Sequence, residues 1–374
     1  MATANENQRI EIVDALRGFA LFGMLIANIG VFTTSDVSGT LNELAAGVHG
    51  IAFLNNFYVI FSVLFGLSFY IFMSRPANTL YTFVKRTWIL LLIGLFHMLF
   101  LWHLDILHAY ALAGFLLIFF YRLNPGSLKI WIAVMFLLDV IISLFFSTAA
   151  LDFLVHVPEF SIEESYTAES YLSNLTMTCS YLPTLFVSTL TNLPHYLFFF
   201  LIGLYLGKSE LFVKTGEKIK EIKGCCYFFV IATVLIMVAW MILEHYQLSN
   251  GLTDVAGSMF NISLSFFYMS YFTLVYDLWK NSFVFKRLTY AGKMTLTSYL
   301  THSLFYLVIF YEFNLGFYLA LPDYYIPLLA IPLFFIQSEF SRIWLHKFGR
   351  GPVESLWRKL TYSNLSTIKS SISR

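Results

Sequence analysis

The sequence predicts an all-α, polytopic membrane protein of about ten transmembrane helices with both termini cytoplasmic. Three observations carry that expectation. The chain is 58% hydrophobic and only 12% charged, whereas a soluble domain carries about 25% charged residues. Apolar runs of bilayer-crossing length recur along it. Its 23 Lys and Arg residues fall only in alternate connections between those runs.

The runs lie at roughly 15–32, 51–73, 85–102, 104–121, 128–147, 190–207, 224–245, 257–279, 294–311 and 324–345, several near the lower limit of about 17 residues. As helices they satisfy their own backbone hydrogen bonds in lipid. The first could be mistaken for a signal peptide, but Glu11 and Asp14 stand beside Arg9 and Arg17 and no small-residue cleavage site follows closely, so it reads as an uncleaved span. Lys and Arg occupy the N-terminal segment, the second-to-third, fourth-to-fifth, sixth-to-seventh and eighth-to-ninth connections and the tail. The positive-inside rule then puts both termini in the cytoplasm, and only an even number of spans preserves the alternation. The chain divides into a cytoplasmic segment 1–14, a membrane domain 15–346 and a cytoplasmic tail 347–374. A long external loop, about 148–190, holds Asp152, Glu159, Glu163, Glu164 and Glu169 and no Lys or Arg; loops of this length serve as lids or binding segments, or as solvated spacers.

The net charge of +1 and the lack of basic runs interleaved with aromatics give no sign of a nucleic-acid partner. Cys179 is alone and Cys225 and Cys226 are adjacent, which fits neither a disulfide framework nor a metal motif. The partner that composition implies is the lipid bilayer. The oligomeric state stays open, a homo-oligomer included.

Within HMLFLWHLDILHAY, residues 97–110, three histidines and an aspartate interrupt an apolar stretch. His103 lies in the external turn between the third and fourth runs. His97 is six residues earlier, about 9 Å deeper at 1.5 Å per residue. His108 follows Asp105 by three, so the two share a helix face. His97 and His103 sit on different faces, which argues against a metal site; interfacial wetting accounts for His103 and His108. His97 and Asp105 are harder to dismiss, because ionisable groups inside spans are expensive and a histidine beside an aspartate is the usual pairing of general base and orienting group. Asp139 sits mid-span at an insertion cost of roughly 2.5–3.5 kcal/mol, which suits a helix contact or a proton relay. In the first run Asp14 and Arg17 are three apart at the cytoplasmic end, Ala20, Gly23, Ala27 and Gly30 follow at helical spacing, and Asn28 lies near the outer end. Small residues on one face let another helix approach.

Several stretches resemble a known family. VDALRGFALFGMLIANI, FSVLFGLSFYIF, GLFHMLFLWHLDILHAYALAG, AGKMTLTSYLTHSL and GPVESLWRKLTY are together similar to the signature segments of the YeiB-like bacterial membrane proteins, with His302 standing where that pattern usually carries Gln. The family resembles a wider group of transmembrane acyltransferases, including the heparan-α-glucosaminide N-acetyltransferases and the acyltransferase-3 O-acetylases. The resemblance implies a multi-pass protein of the bacterial inner membrane, acyl-CoA as donor and an acceptor at the outer face. The acyltransferase-3 pattern tends to place His where this chain has Asn28. The base is then sought at His97 with Asp105, or at His49, which loosely resembles a histidine before the second span of the heparan-type enzymes; His195 and His302 are lesser candidates. Asp14, Arg17, Arg86, Lys293 and Arg358 are expected around the donor, its pantetheine arm running among the small residues of the first run. Asn28, His103, His108 and Tyr110 are expected around the acceptor and the oxyanion. The alternative is a proton-coupled transporter or exporter that uses His97, Asp105 and Asp139 as a relay.

Overall fold

A computed structural model describes residues 10–145, 162–248 and 250–363. Asp152 and Glu159 of the predicted loop, Arg9 and the end of the tail lie outside the described residues. Those described are helical, and an isolated bridge between Thr34 and Pro322 is their β-type pairing. The helices are α1 (Glu11–Ile29), α2 (Thr40–Ala52), α3 (Phe57–Met73), α4 (Leu80–Phe100), α5 (Leu107–Leu117), α6 (Pro125–Phe145), α7 (Ile162–Tyr166), α8 (Tyr171–Ser180), α9 (Leu182–Thr191), α10 (Leu193–Lys208), α11 (Ile219–His245), α12 (Asn250–Trp279), α13 (Phe283–Lys293), α14 (Thr295–Ile309), α15 (Tyr325–Phe348) and α16 (Pro352–Tyr362).

Each predicted apolar run is occupied by a helix, but the helices differ in their capacity to span. Among the described residues six are long and apolar enough, counting α2 with α3 as one, and the pair α9–α10, bent by 48°, makes a seventh. The stretch Leu107–Phe120 and helix α14 are too short, and α12 carries Asn261, Ser263, Ser265 and Thr273 along its length. The ten runs therefore include short and polar helices that need protein neighbours.

Burial ranks the helices. The span window of α1 is 78% buried, that of α11 only 6%, so α1 is central and α11 presents its Val, Leu and Ile side chains outward. Close packing uses glycine. A Cβ on Gly18 would stand 1.9 Å from the Leu288 carbonyl oxygen, and one on Gly292 would stand 1.8 Å from that of Asp14, which locks α1 to α13. Gly66 and Gly203 do the same between α3 and α10. Such small-residue contacts let backbones touch where no hydrophobic effect drives helices together. At Gly23 and Gly30 the space is taken instead by the rings of Phe57 and His49, so the small-residue stripe of α1 receives side chains rather than a helix backbone.

At one end of the bundle α16 folds back on the helix ends. Glu354 does not pair with Arg358 one turn later; it accepts from the Leu296 and Thr297 amides at 2.8 and 3.0 Å and from the Thr297 hydroxyl at 2.5 Å. A carboxylate here satisfies the free N–H groups of α14 and meets the positive end of its dipole. Trp357 donates to the Arg86 carbonyl at 2.9 Å, and Gly349 closes α15 in a left-handed conformation, φ 73°. At the other end residues 310–324 cross the exit of α1: the Thr34 amide donates to Leu321 and the Leu319 amide to Phe32, both at 2.9 Å, while Thr33 donates to Asp323 at 2.6 Å.

Gly292→Ala is expected to cost about 1–3 kcal/mol through the clash with α1. Gly216→Ala, with open space at its Cβ, should leave the melting temperature in detergent unchanged. Glu354→Ala should cost about 1–2 kcal/mol as a lost helix cap, measured by the same melt.

Candidate functional site

The polar centre is built on the α4–α5 hairpin. The His97 carbonyl accepts from the amides of both Leu101 and Trp102 at 2.9 Å, which ends α4 and starts the turn at 101–106. Gly94 faces α5 directly, where a Cβ would approach the His108 amide nitrogen to 2.4 Å. This contact sets His97 and His108 on either side of Asp105. His97 Nδ1 lies 2.7 Å from Asp105 Oδ1. His108 reaches Oδ2 with its ring Nδ1 and its backbone amide, each at 3.0 Å. The second of these bonds makes Asp105 a cap for the first turn of α5.

Two further helices close the cluster. From α14, the Tyr299 hydroxyl donates to Asp105 Oδ1 at 3.4 Å and the Ser303 hydroxyl lies 2.7 Å from His97 Nε2; residues four apart share a helix face. From α9, Thr189 Oγ1 lies 2.9 Å from His108 Nε2. His97 is 0% exposed, Ser303 1% and Asp105 5%. With four donors converging on its two oxygens, Asp105 acts as an ionised carboxylate, which can only accept. In a neutral His97, donation from Nδ1 to Asp105 leaves Nε2 to accept from Ser303.

The other predicted residues have different partners. His103 lies 3.3 Å from Ser165 Oγ and against the Tyr166 ring; burial pushes its pKa down to about 3, so it is neutral. His49 sets its Nε2 3.1 Å from the Ala27 carbonyl, over Gly30. Asn28 lies at the Tyr306 hydroxyl. Tyr110, two residues past His108 and so on a different face of α5, bonds Ser62 and the Tyr58 carbonyl. The structure thus joins His97, Asp105 and His108, and gives His103, His49 and Tyr110 hydrogen-bond partners outside that network. Among the described residues no group of His, Cys, Asp and Glu is arranged to hold a metal ion.

The residues expected around a donor lie at the opposite end of the bundle. Asp14 accepts from Arg17 at 2.9 Å, and Arg17 also reaches Ser68 at 2.6 Å. Arg86 lies 3.5 Å beneath the Trp357 ring, and Arg358 lies over Tyr362. Lys293 lines a cavity of about 720 Å³ together with Lys280, Lys286, Glu11 and Asp277. Lys280 and Lys286 lie in the same connection as Lys293 and were not singled out in the sequence.

Sequence reasoning also missed Ser303 and Tyr299, which stand beside His302 in SYLTHS. His302 itself bonds Gln337 at 2.8 Å. A second network was half seen: Asp139 Oδ2 holds His195 Nδ1 at 2.8 Å, and His195 Nε2 meets the Tyr58 hydroxyl at 2.8 Å. Of that set only Asp139 and His195 had been noticed, and separately.

Asp105→Ala should lower stability by about 3 kcal/mol or more, since it leaves two buried imidazoles without their acceptor. Arg358→Ala, at an exposed position, should stay within about 0.5 kcal/mol of the parent in the same thermal melt.

Comparison with known proteins agrees with the resemblance read from the sequence. Residues 206–364 match a family described as a protein of unknown function (DUF418). Residues 9–172, which contain His97, Asp105 and His108, match a family described as heparan-alpha-glucosaminide N-acetyltransferase, catalytic. The chain is 28% identical to the uncharacterized protein YxaH of Bacillus subtilis (strain 168), over 95% of each chain. It is 26% identical to an uncharacterized 39.9 kDa protein of Bacillus acidopullulyticus over 96% of this chain and 95% of that one. It is 35% identical to the uncharacterized protein YeiB of Escherichia coli (strain K12) over 27% of this chain and 26% of that one. The chain is thus an all-helical, multi-pass membrane protein that resembles the YeiB-like family and, through its N-terminal half, the transmembrane acyltransferases.

Proposed function

We propose that this protein is a membrane-embedded acyltransferase of the bacterial inner membrane. It moves an acyl group from cytosolic acyl-CoA to an acceptor at the outer face, with both termini in the cytoplasm. One observation carries the reading: the buried His97–Asp105 pair, 2.7 Å apart, lies inside the segment that matches an acetyltransferase catalytic family. Fixed by Asp105, His97 keeps Nε2 free of a proton and able to accept one from a hydroxyl, as a general base requires. The cavity at Lys280, Lys286 and Lys293 offers cations for the donor's phosphates. Arg86 holds Trp357, so its role is to anchor α16 rather than to meet the donor.

The test is release of free CoA from acetyl-CoA and longer acyl-CoAs by the detergent-purified protein. His97→Ala should slow it by about 10²–10⁴-fold. Full release by that variant would remove His97 from the reaction, and no release by the parent with any acyl-CoA would end the acyltransferase reading.

A second reading, a proton-coupled transporter, draws on the Asp139–His195–Tyr58 chain. Its aspartate and histidine are 15% and 13% exposed on helices of the bundle, and ionisable pairs inside membrane bundles serve as proton relays. On this reading Asp139→Asn should abolish solute uptake driven by a pH gradient in vesicles. Under the acyltransferase reading it leaves CoA release intact.

A further inference from the structure

The acceptor nitrogen of His97 is occupied by one group, the Ser303 hydroxyl at 2.7 Å. A general base takes the proton it is hydrogen-bonded to, and here that proton belongs to a serine. The chain Ser303–His97–Asp105 runs nucleophile, base and orienting carboxylate at 2.7 and 2.7 Å, an arrangement recognised by geometry and role rather than by order in the sequence.

Ser303 is placed differently from several other buried hydroxyls of this protein. Ser62, Thr87, Ser265 and Thr273 each donate to the carbonyl four residues earlier, the usual way for a hydroxyl to be satisfied within a helix; Thr189 does so too while meeting His108, and Ser165 meets His103. Ser303 instead turns to the imidazole of another helix, 206 positions away in the chain. Tyr299, one turn earlier, bonds the same carboxylate and so fixes α14 at the depth that Ser303 needs.

We propose that Ser303 is the nucleophile and carries the acyl group as a serine ester between donor and acceptor. The inference rests on the acyltransferase reading for the identity of its donor, an acyl thioester. In the first half Ser303 Oγ attacks the thioester carbonyl as its proton passes to His97 Nε2. The C–S bond then breaks, and the departing sulfur takes that proton and leaves as the thiol. In the second half an acceptor hydroxyl gives its proton to His97 and attacks the serine ester; Ser303 leaves and regains the proton. The sum is thioester plus alcohol giving ester plus thiol, with enzyme and proton count restored. Over the α4–α5 turn Trp102 donates to the Tyr166 hydroxyl at 3.0 Å and packs on Tyr306.

The experiment incubates the full-length protein in detergent with radiolabelled acetyl-CoA and, separately, with p-nitrophenyl acetate, an activated ester that needs no CoA site. After an acid quench, peptide mass spectrometry seeks the acetyl group. The expected result is acetyl on Ser303, absent from Ser303→Ala and His97→Ala, and a hydroxylamine-labile thioester in Ser303→Cys. CoA release in Ser303→Ala should fall about 10²-fold or more, with helical circular dichroism and gel-filtration elution unchanged. His97-dependent CoA release that survives in Ser303→Ala would overturn the proposal while leaving the acyltransferase reading intact. Labelling of Ser303 by p-nitrophenyl acetate but not by acetyl-CoA would keep the nucleophile and reject the donor. Acylation by neither compound would overturn the proposal.

Discussion

The rest of the structure depends on one carboxylate placed where water does not reach it. Asp105 closes the first turn of α5 through the His108 amide, holds both imidazoles, and takes the Tyr299 hydroxyl from a distant helix. A buried charge is tolerable only when its oxygens are met by donors, so four groups from three segments are committed to one position. The orientation of His97 is therefore part of the solution to a desolvation problem. The same bonds that make the charge affordable also decide which ring nitrogen is left to act.

That arrangement needs a rigid frame, and glycines supply it. The hairpin closes because nothing but hydrogen stands at Gly94. Farther away, Gly18 with Gly292 and Gly66 with Gly203 bring helix backbones into contact, which fixes α13 against α1 and α10 against α3. The helix that presents Tyr299 and Ser303 is pinned at its start by Glu354 of the C-terminal helix. Peripheral α11, with little buried, contributes lipid contact and none of the site's hydrogen bonds.

The fold class was legible because its cause is local: apolar runs are visible as runs, and each became a helix. Their unequal lengths were less legible, because a run of apolar letters does not mark where a helix ends against protein rather than at the membrane surface. His97 and Asp105 were legible as a pair since both lie in one hairpin, eight positions apart. Ser303 was not, because its meaning comes from a partner 206 positions away. Likewise Arg86 reads as a free cation in sequence, whereas folding slides Trp357 over it. In the acceptor group, His103, His108 and Tyr110 go together because they lie in one stretch, and Asn28 joins them from the outer end of the first run. Helix periodicity and the turn at 101–106 gave His103 and Tyr110 partners away from His108.

The short helices have a consequence for distance. Helix α14 has 15 residues and α5 has 11, rising roughly 22 and 16 Å at 1.5 Å per residue, against a hydrocarbon core of about 30 Å. Neither is long enough to cross such a slab alone, so each relies on protein neighbours at its ends. The helices that carry His108, Tyr299 and Ser303 are therefore held in place by protein contacts, Gly94 and Glu354 among them, rather than by their own match to the bilayer.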